Sequence, residues 1–281
     1  MPGPPKRQNH STCTSREAVS LCRRTGCDKQ RDSRREPAGK YLQSALMSTK
    51  TSAIARPLYL LNAIVASLAV TVSFSLMAVG YYVDEIDPTK PTLLGNIPTG
   101  KDQVWERFFD WISYFTILSN ITVAIVMIML VRRPELFTRT DKVGRRWQAL
   151  RLDSLLMITI TGIVYQLLLA GDPKTGWDFV SDSLQHAINP IVTVAVFMIA
   201  GPRGLIRIKT IAAAMVLPII WAVVCLVRGA VIGAYPYFFL DVATVGMLSV
   251  IEFILAILVF AIVIALLYMG WDKLMSKRQS A

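Results

Sequence analysis

Six apolar runs dominate the pattern of hydrophobic and polar positions along the chain. Each is long enough to cross a bilayer as a helix, which takes about 20 residues, and backbone groups in hydrocarbon must be hydrogen-bonded within their own segment. We therefore predict an all-α, polytopic membrane protein with six transmembrane helices, over residues 58–83, 108–131, 152–170, 183–201, 210–232 and 242–269. Pro190 and Pro218 fall inside the fourth and fifth runs, where proline is expected to kink the helix.

Basic residues mark alternate connections between these runs. Twelve of the 30 Lys and Arg residues lie in residues 1–56, seven in residues 132–151, and three in each of the stretches 203–209 and 273–278. Cytoplasmic connections of membrane proteins are enriched in Lys and Arg. We therefore predict that both termini are cytoplasmic and, if the protein is bacterial, that it lies in the plasma membrane.

The formal net charge of +11 comes mainly from the N-terminal residues. Residues 1–56 are basic, rich in Ser, Thr, Arg and Pro and without hydrophobic periodicity, so we predict a disordered tail. Met47 is a second candidate start, and residues 1–46 are left out of the fold prediction. Residues 57–271 are the predicted transmembrane domain, and residues 272–281 are a short basic C-terminal tail. Because the charge excess belongs to a tail, we predict no nucleic-acid partner.

The common cofactor motifs are absent from the sequence. It has no P-loop, no H-E-x-x-H zinc pattern and no dinucleotide-binding glycine fingerprint. Cys13, Cys22 and Cys27 lie in the tail without a second pair of metal-ligand type, and Cys225 lies in an apolar run. We predict no cofactor and no metal.

Two of the runs carry polar side chains on one face of the predicted helix. In the second run these residues are Ser113, Thr116 and Asn120. In the fourth run they are Asp182, His186, Asn189 and Thr193. Residues three and four apart share a helix face, and polar faces of membrane helices turn toward protein or water.

A hydroxyl beside an imidazole is the arrangement that nucleophilic acyl transfer requires. The histidine takes the proton, the oxygen attacks a carbonyl carbon, and hydrogen-bond donors stabilise the oxyanion. His186 is the one histidine outside the tail, and counting from the predicted span ends places it and Thr116 in the outer half of the membrane. Both are candidate catalytic residues, with the amide of Asn120 or Asn189 as a candidate oxyanion donor.

The same residues also have structural explanations. A Thr in a membrane helix commonly bonds the carbonyl group four residues earlier, and polar side chains often only join neighbouring helices. Arg228, at the outer end of the fifth run, could pair with Asp241, with Glu252 or with a substrate carboxylate. The aromatic residues between Gly233 and Asp241 are typical of a membrane interface.

Four segments carry a resemblance to a known family. They are YFTILSNI in the second run, LRLDSLL entering the third, LQHAINP in the fourth and YPYFFLD after the fifth. In this order they resemble the androgen-induced protein and androgen-dependent TFPI-regulating protein family, particularly its bacterial branch, over about Leu58 to Met269. The spacing from His186 to Pro190 is about one residue shorter than in the family.

The resemblance implies a six-helix membrane threonine hydrolase that cleaves fatty acid esters of hydroxy fatty acids. It implies Thr116 as the nucleophile and His186 as the essential histidine, with Tyr235, Tyr237 and Asp241 bordering the cavity. The full set of supporting or substrate-binding candidates is Ser113, Asn120, Asn189, Tyr165, Arg228, Tyr235, Tyr237 and Asp241.

Three functional classes remain open from the sequence. The first is an intramembrane lipid ester hydrolase with a Thr nucleophile and a His base, whose partners are membrane lipids and a lipid ester substrate. The second is a non-enzymatic small-molecule or ion transporter or channel, or a lipid-binding membrane protein, in which Arg228 and Glu252 would act as charge gates. The third is a scaffold whose polar faces form only interhelical hydrogen bonds.

Overall fold

The computed structural model of the protein describes residues 38–82, 89–90, 92–95, 103–171 and 173–280, and gives the backbone alone for residues 38–53 and 280. The chain divides into two units, residues 1–49 and 50–281. The described part of the first unit is helical, and every side-chain contact given below belongs to the second. The predictions made for residues 1–37, including the tail cysteines, lie outside the described residues.

The described residues are all-helical and include no β-strand. The α-helices in chain order are α1 (Ala38–Ala78), α2 (Val104–Ser113), α3 (Phe115–Arg132), α4 (Lys142–Val164), α5 (Gly176–Ser183), α6 (Asn189–Ile199), α7 (Ile208–Ala214), α8 (Val216–Ile232), α9 (Val242–Val245) and α10 (Met247–Ser280). Two π-helical segments extend them, π1 (Tyr165–Leu169) after α4 and π2 (Leu184–Ile188) between α5 and α6. Short 3₁₀ turns cover Pro134–Phe137 and Phe238–Leu240.

Five helical stretches among the described residues are long and apolar enough to cross a membrane. They are Ile54–Ala78, Phe115–Arg132, Lys142–Leu169, Ile208–Ile232 and Met247–Gln279. Each overlaps one of the predicted runs, and together they identify a multi-pass integral membrane protein. Side chains such as Leu167, Val231 and Leu248, each more than two-thirds exposed, give this unit the apolar exterior that a lipid-facing surface requires.

The fourth predicted run, residues 183–201, is helical but interrupted. Its residues 183–199 belong to the consecutive elements α5, π2 and α6, and π2 immediately precedes the turn that contains Pro190. A proline lacks the N–H that would bond the carbonyl four residues earlier. The wider π turn accommodates that loss, as helix irregularities often do.

The second predicted run is not one helix, because α2 ends at Ser113 and α3 begins at Phe115. Tyr114 between them is extended, with φ −71° and ψ 132°. Contacts from elsewhere stabilise the break: the Trp221 Nε1–H donates to the freed Ser113 carbonyl at 2.9 Å, and the Tyr114 hydroxyl donates to the Leu94 carbonyl at 2.9 Å. A break inside a membrane helix requires such partners for the released backbone groups.

The connections group at two ends of the unit. We call the end formed by residues 79–82, 89–90, 92–95, 170–171, 173–175 and 233–246 the loop end. Backbone hydrogen bonds between Tyr235 and the segment Thr92–Leu94 join two of its connections. The basic end contains residues 133–141 and 200–207 and the end of α10, where the backbone N–H of Ile206 donates to the buried carboxylate of Asp272 at 3.0 Å.

Two terminal segments are more helical than the sequence predicts. Helix α1 begins at Ala38, so residues 38–56 are helical although they were placed in a disordered tail. Helix α10 continues through residues 272–280, which were predicted as a C-terminal tail. In both cases good helix formers such as Ala, Leu, Met and Lys adjoin a membrane helix, which extends more easily than a new helix nucleates.

Candidate active site

Thr116 occupies the first turn of α3, directly after the break at Tyr114. The backbone N–H groups of a first helical turn have no partner within the helix, and the helix dipole makes this end electropositive. The Thr116 Oγ1 lies 3.1 Å from the Nε2 of His186. The two predicted catalytic side chains are therefore within hydrogen-bond distance.

A carboxylate continues this contact on the far side of the imidazole. The His186 Nδ1 lies 3.1 Å from the Oδ1 of Asp182, which also accepts a hydrogen bond from the Tyr165 hydroxyl. The Tyr165 and His186 rings are stacked, with centroids 3.6 Å apart and planes 7° from parallel. With Nδ1–H donating to Asp182, Nε2 is left as an acceptor that can take the Thr116 proton. This hydroxyl–imidazole–carboxylate series is the arrangement of triad hydrolases.

Sequence reasoning placed Asp182 on the polar face of His186 but gave it no role in the site. The available signal was its position four residues before the histidine, where one turn separates the two side chains. Both stacked rings belong to π-helical segments, Tyr165 at the start of π1 and His186 inside π2. Single π turns inside α-helices are frequent at functional sites, yet neither π segment was predicted.

Tyr237 reaches Thr116 from the loop end. Its hydroxyl oxygen accepts a hydrogen bond from the Thr116 backbone N–H at 3.4 Å. The ring is buried, stacked on Phe239 with centroids 5.2 Å apart and edge-on to Tyr114 at 5.8 Å. Burial raises the pKa of the Tyr237 hydroxyl to about 12. The hydroxyl therefore keeps a proton that it can donate to a group beside Thr116.

The two asparagines proposed as oxyanion donors do not present their amides to the Thr116 hydroxyl. The Asn120 Nδ2 donates to the Thr116 carbonyl at 2.7 Å, and the Asn189 Nδ2 donates to the Asn120 Oδ1 at 2.7 Å. Both side chains are fully buried, and Thr193 extends the chain of bonds to Asn62 of α1. This network joins α1, α3 and α6 and holds the backbone of the first turn of α3.

Ser113 and Arg228 lie on the other side of the break. The Ser113 hydroxyl donates to the Phe109 carbonyl at 2.6 Å and accepts from Arg228 at 3.2 Å. Because Tyr114 interrupts the helix, Ser113 does not share a face with Thr116. Arg228 pairs with Asp110 at 2.5 Å. Neither of the sequence-based partners, Asp241 and Glu252, forms this ion pair, because the break directs α2 toward α8.

Tyr235 and Asp241 support the loop that carries Tyr237, and neither lines the cavities described next. The Tyr235 ring packs against Gly229, where an added Cβ would lie 2.1 Å from the ring. Asp241 caps α9 by accepting from the backbone N–H groups of Ala243 and Thr244, and it accepts from the Thr92 hydroxyl. Burial raises the pKa of Asp241, but these hydrogen bonds outweigh burial and place the pKa below its ordinary value.

Two cavities meet at Thr116. The loop-side cavity has a volume of about 430 Å³, and polar residues including Arg107, Lys174, Gln185 and His186 line it. The inner cavity has a volume of about 240 Å³ and an almost entirely apolar wall from α4, α8 and α10. Thr116, Tyr165, Leu169 and Tyr237 line both cavities.

The described residues contain no group of three or more His, Cys, Asp or Glu side chains placed to hold a metal ion. Comparison of the chain with protein-family models, with curated proteins and with solved structures finds no match.

Proposed function

We propose that the protein is an intramembrane lipid ester hydrolase in which Thr116 is the nucleophile and His186 the general base. The observation that carries this proposal is the continuous series from the Thr116 Oγ1 through the His186 ring to the Asp182 carboxylate, with both hydrogen bonds at 3.1 Å and a cavity on each side of Thr116. A packing role for the histidine would explain neither the order of these groups nor the cavities.

The reaction follows from the positions of the protons. The His186 Nε2 takes the Thr116 proton while Oγ1 bonds to the ester carbonyl carbon, and the carbonyl electron pair moves to oxygen. Collapse of this intermediate breaks the bond to the alcohol oxygen, which takes the proton from Nε2 and leaves an acyl-threonine. In the second half, Nε2 takes a proton from water, hydroxide attacks the acyl carbon, and Thr116 Oγ1 leaves with that proton. The products are a fatty acid and an alcohol.

Two donors would stabilise the oxyanion in both steps. The Thr116 backbone N–H lies in the electropositive first turn of α3, and it points to the Tyr237 hydroxyl oxygen at 3.4 Å. An oxyanion beside Thr116 could accept from this N–H and from the Tyr237 hydroxyl proton together. Preorganised donors of this kind contribute about 10²–10³ in rate each.

The topology belongs to the same proposal. We assign residues 176–199 as a sixth span, which gives a six-helix bundle with both termini cytoplasmic, in the plasma membrane if the protein is bacterial. The grouping of Lys and Arg at the basic end supports this orientation. The family proposed from the sequence, the bacterial branch of the androgen-induced protein family, agrees with a Thr nucleophile and with an ester of fatty acid and hydroxy fatty acid as substrate.

A fluorophosphonate probe tests the nucleophile directly. We expect purified protein to gain one probe adduct by intact mass, located on Thr116 by peptide mapping, and we expect Thr116→Ala and His186→Ala to abolish labelling. Thr122→Ala is the matched control, because Thr122 lies on the same helix and is buried, but bonds the Leu118 carbonyl at 2.7 Å and lines neither cavity. Labelling that persists in both Thr116→Ala and His186→Ala would refute the proposal.

A further inference from the structure

The two cavities differ in which catalytic groups they reach. His186 and Asp182 line the loop-side cavity and are absent from the wall of the inner cavity, whereas Thr116 and Tyr237 line both. The nucleophile therefore faces both compartments, but the proton-carrying imidazole faces one. This asymmetry bears on how an ester can lie across Thr116.

Proton transfer decides the orientation of the substrate. When the intermediate collapses, the alcohol oxygen must receive its proton from the His186 Nε2, so it must lie within hydrogen-bond reach of that atom. His186 faces only the loop-side cavity, and the alcohol portion must therefore leave through it. The water of the second half-reaction must reach the same Nε2 and takes the same route.

Polarity leads to the same orientation. Each methylene group of an acyl chain lowers the free energy when it leaves water. The apolar walls of the inner cavity therefore favour binding of the chain. The loop-side cavity is lined by polar and charged side chains, among them Lys174, Asp178 and Gln185. Polar groups on the alcohol portion would find hydrogen-bond partners there.

The inner cavity also lies against a helix that is apolar enough to cross a membrane. Ile219 and Val223 on α8 line the cavity and are 44% and 55% exposed, and both belong to the apolar stretch Ile208–Ile232. A chain already dissolved in the bilayer has a direct lateral path to the cavity.

We infer that the inner cavity is the acyl-chain site and that the loop-side cavity is the alcohol site and the water route. The substrate class that fits is an ester of a fatty acid with an alcohol that carries polar groups, and a hydroxy fatty acid, with its carboxylate, is one such alcohol. This inference rests on the proposed hydrolase activity. It assigns the acyl chain and the alcohol portion to different cavities, which the triad alone does not do.

A series of p-nitrophenyl esters from butyrate to palmitate tests the acyl site. Ala222 is half-buried and lines the inner cavity, so Ala222→Phe should lower kcat/KM for laurate and palmitate by about tenfold or more, the effect of denying two methylene groups their burial. Hydrolysis of butyrate should remain near wild type. Val224→Phe is the matched control, because Val224 is on the same helix, is 56% exposed and lines neither cavity.

A second pair of variants makes the result decisive. Leu226→Trp fills the inner cavity from another position and should shift the length profile in the same direction, which guards against misfolding of one variant. Gln185→Leu should change the preference between glycerol and p-nitrophenol esters of the same acid, leaving the chain-length profile unchanged. The inference would be overturned if the dependence of kcat/KM on chain length is unchanged in both inner-cavity variants, or if it responds to Gln185→Leu instead.

These outcomes are distinct from failure of the proposed function. Thr116-dependent hydrolysis would still support that function in either case, whereas hydrolysis that survives Thr116→Ala would overturn it.

Discussion

Asp182 accepts hydrogen bonds from His186 and Tyr165, and the Lys174 ammonium lies 3.9 Å from its Oδ1. These donors favour the ionised carboxylate and hold the proton of the imidazole on Nδ1. The stacked Tyr165 ring restricts rotation of the imidazole, so its Nε2 stays directed at Thr116. At the scale of single residues, the arrangement fixes which nitrogen can act as the base.

Replacement of Asp182 tests this positioning role. In Asp182→Asn the amide no longer selects the Nδ1–H tautomer, and we expect kcat to fall by about 10³–10⁴ with little change in KM. Asp178→Asn is the control, because Asp178 lies on the same helix, lines the same cavity and pairs with Lys174 at 3.4 Å. Equal loss of kcat in the two variants would contradict a specific role for Asp182.

The contact between Thr116 and His186 could be anticipated from residue types, because two polar faces on apolar helices tend to meet. The roles of Asn120 and Asn189 could not be anticipated in this way. These roles depend on the rotation of the first turn of α3, which follows from the break at Tyr114. No Gly or Pro marks that break; it is stabilised by Trp221 and Leu94, which are far away in sequence.

At the scale of elements, the connection from Gly233 to Gly246 acts as an arm that carries Tyr237 to Thr116. Gly233 ends α8 in the left-handed conformation, with φ 73°. Backbone hydrogen bonds of 2.8 and 2.9 Å join Tyr235 to Thr92 and Leu94, and Asp241 secures the far end of the arm. These contacts hold the aromatic segment at the loop end and bring Tyr237 to both cavities.

Loss of the Asp241 cap should therefore affect activity as well as stability. We expect Asp241→Ala to lower the free energy of unfolding by about 1–2 kcal/mol, the usual effect of losing an N-cap, and to reduce kcat because Tyr237 is less well held. Asp141→Ala removes the cap of α4, where the side chain accepts from the Gly144 N–H at 2.8 Å, at the basic end away from Tyr237. Activity assays and thermal unfolding of both variants check this, and an unchanged kcat in Asp241→Ala would contradict it.

The same carboxylate predicts a pH dependence. Because the pKa of Asp241 is lowered in the folded protein, its contribution to stability is complete above the unfolded pKa of about 3.9 and is lost as pH falls through the folded pKa. The difference in Tm between wild type and Asp241→Ala should be constant from neutral pH to about pH 5 and should shrink below about pH 4. Thermal unfolding over this range measures it, and a difference that grows on acidification would contradict the assignment.

At the scale of the whole molecule, length and apolarity were sufficient to locate the spanning helices, because the bilayer imposes both. Five of the predicted runs overlap stretches that meet this criterion, the second only from Phe115 onward. The fourth run differs because its polar side chains, Gln185, His186 and Asn189 among them, lower its apolarity. An irregular turn alone does not exclude a stretch, since Lys142–Leu169 continues through π1. The π turns also carry the imidazole and its stacking partner, so the departures from regular helix coincide with the proposed chemistry. Hydrophobic periodicity and composition could not predict the π turns, because contacts with neighbouring elements stabilise an irregular turn.

Whether residues 176–199 cross the membrane is decided by the positions of their two ends. Thr175 precedes α5 and Lys209 lies in α7 beyond α6, and both are exposed. If this stretch spans the bilayer with cytoplasmic termini, Thr175→Cys should react with a membrane-impermeant maleimide on intact cells, while Lys209→Cys should react only after permeabilisation.

The background protein carries Ser in place of Cys13, Cys22 and Cys27, and its remaining cysteine, Cys225, is buried. Thr138→Cys, exposed between α3 and α4, is the control for the cytoplasmic side. Reaction of Thr175→Cys and Lys209→Cys from the same side would mean that the triad histidine lies on a re-entrant helix, and that its cavity opens to a different compartment.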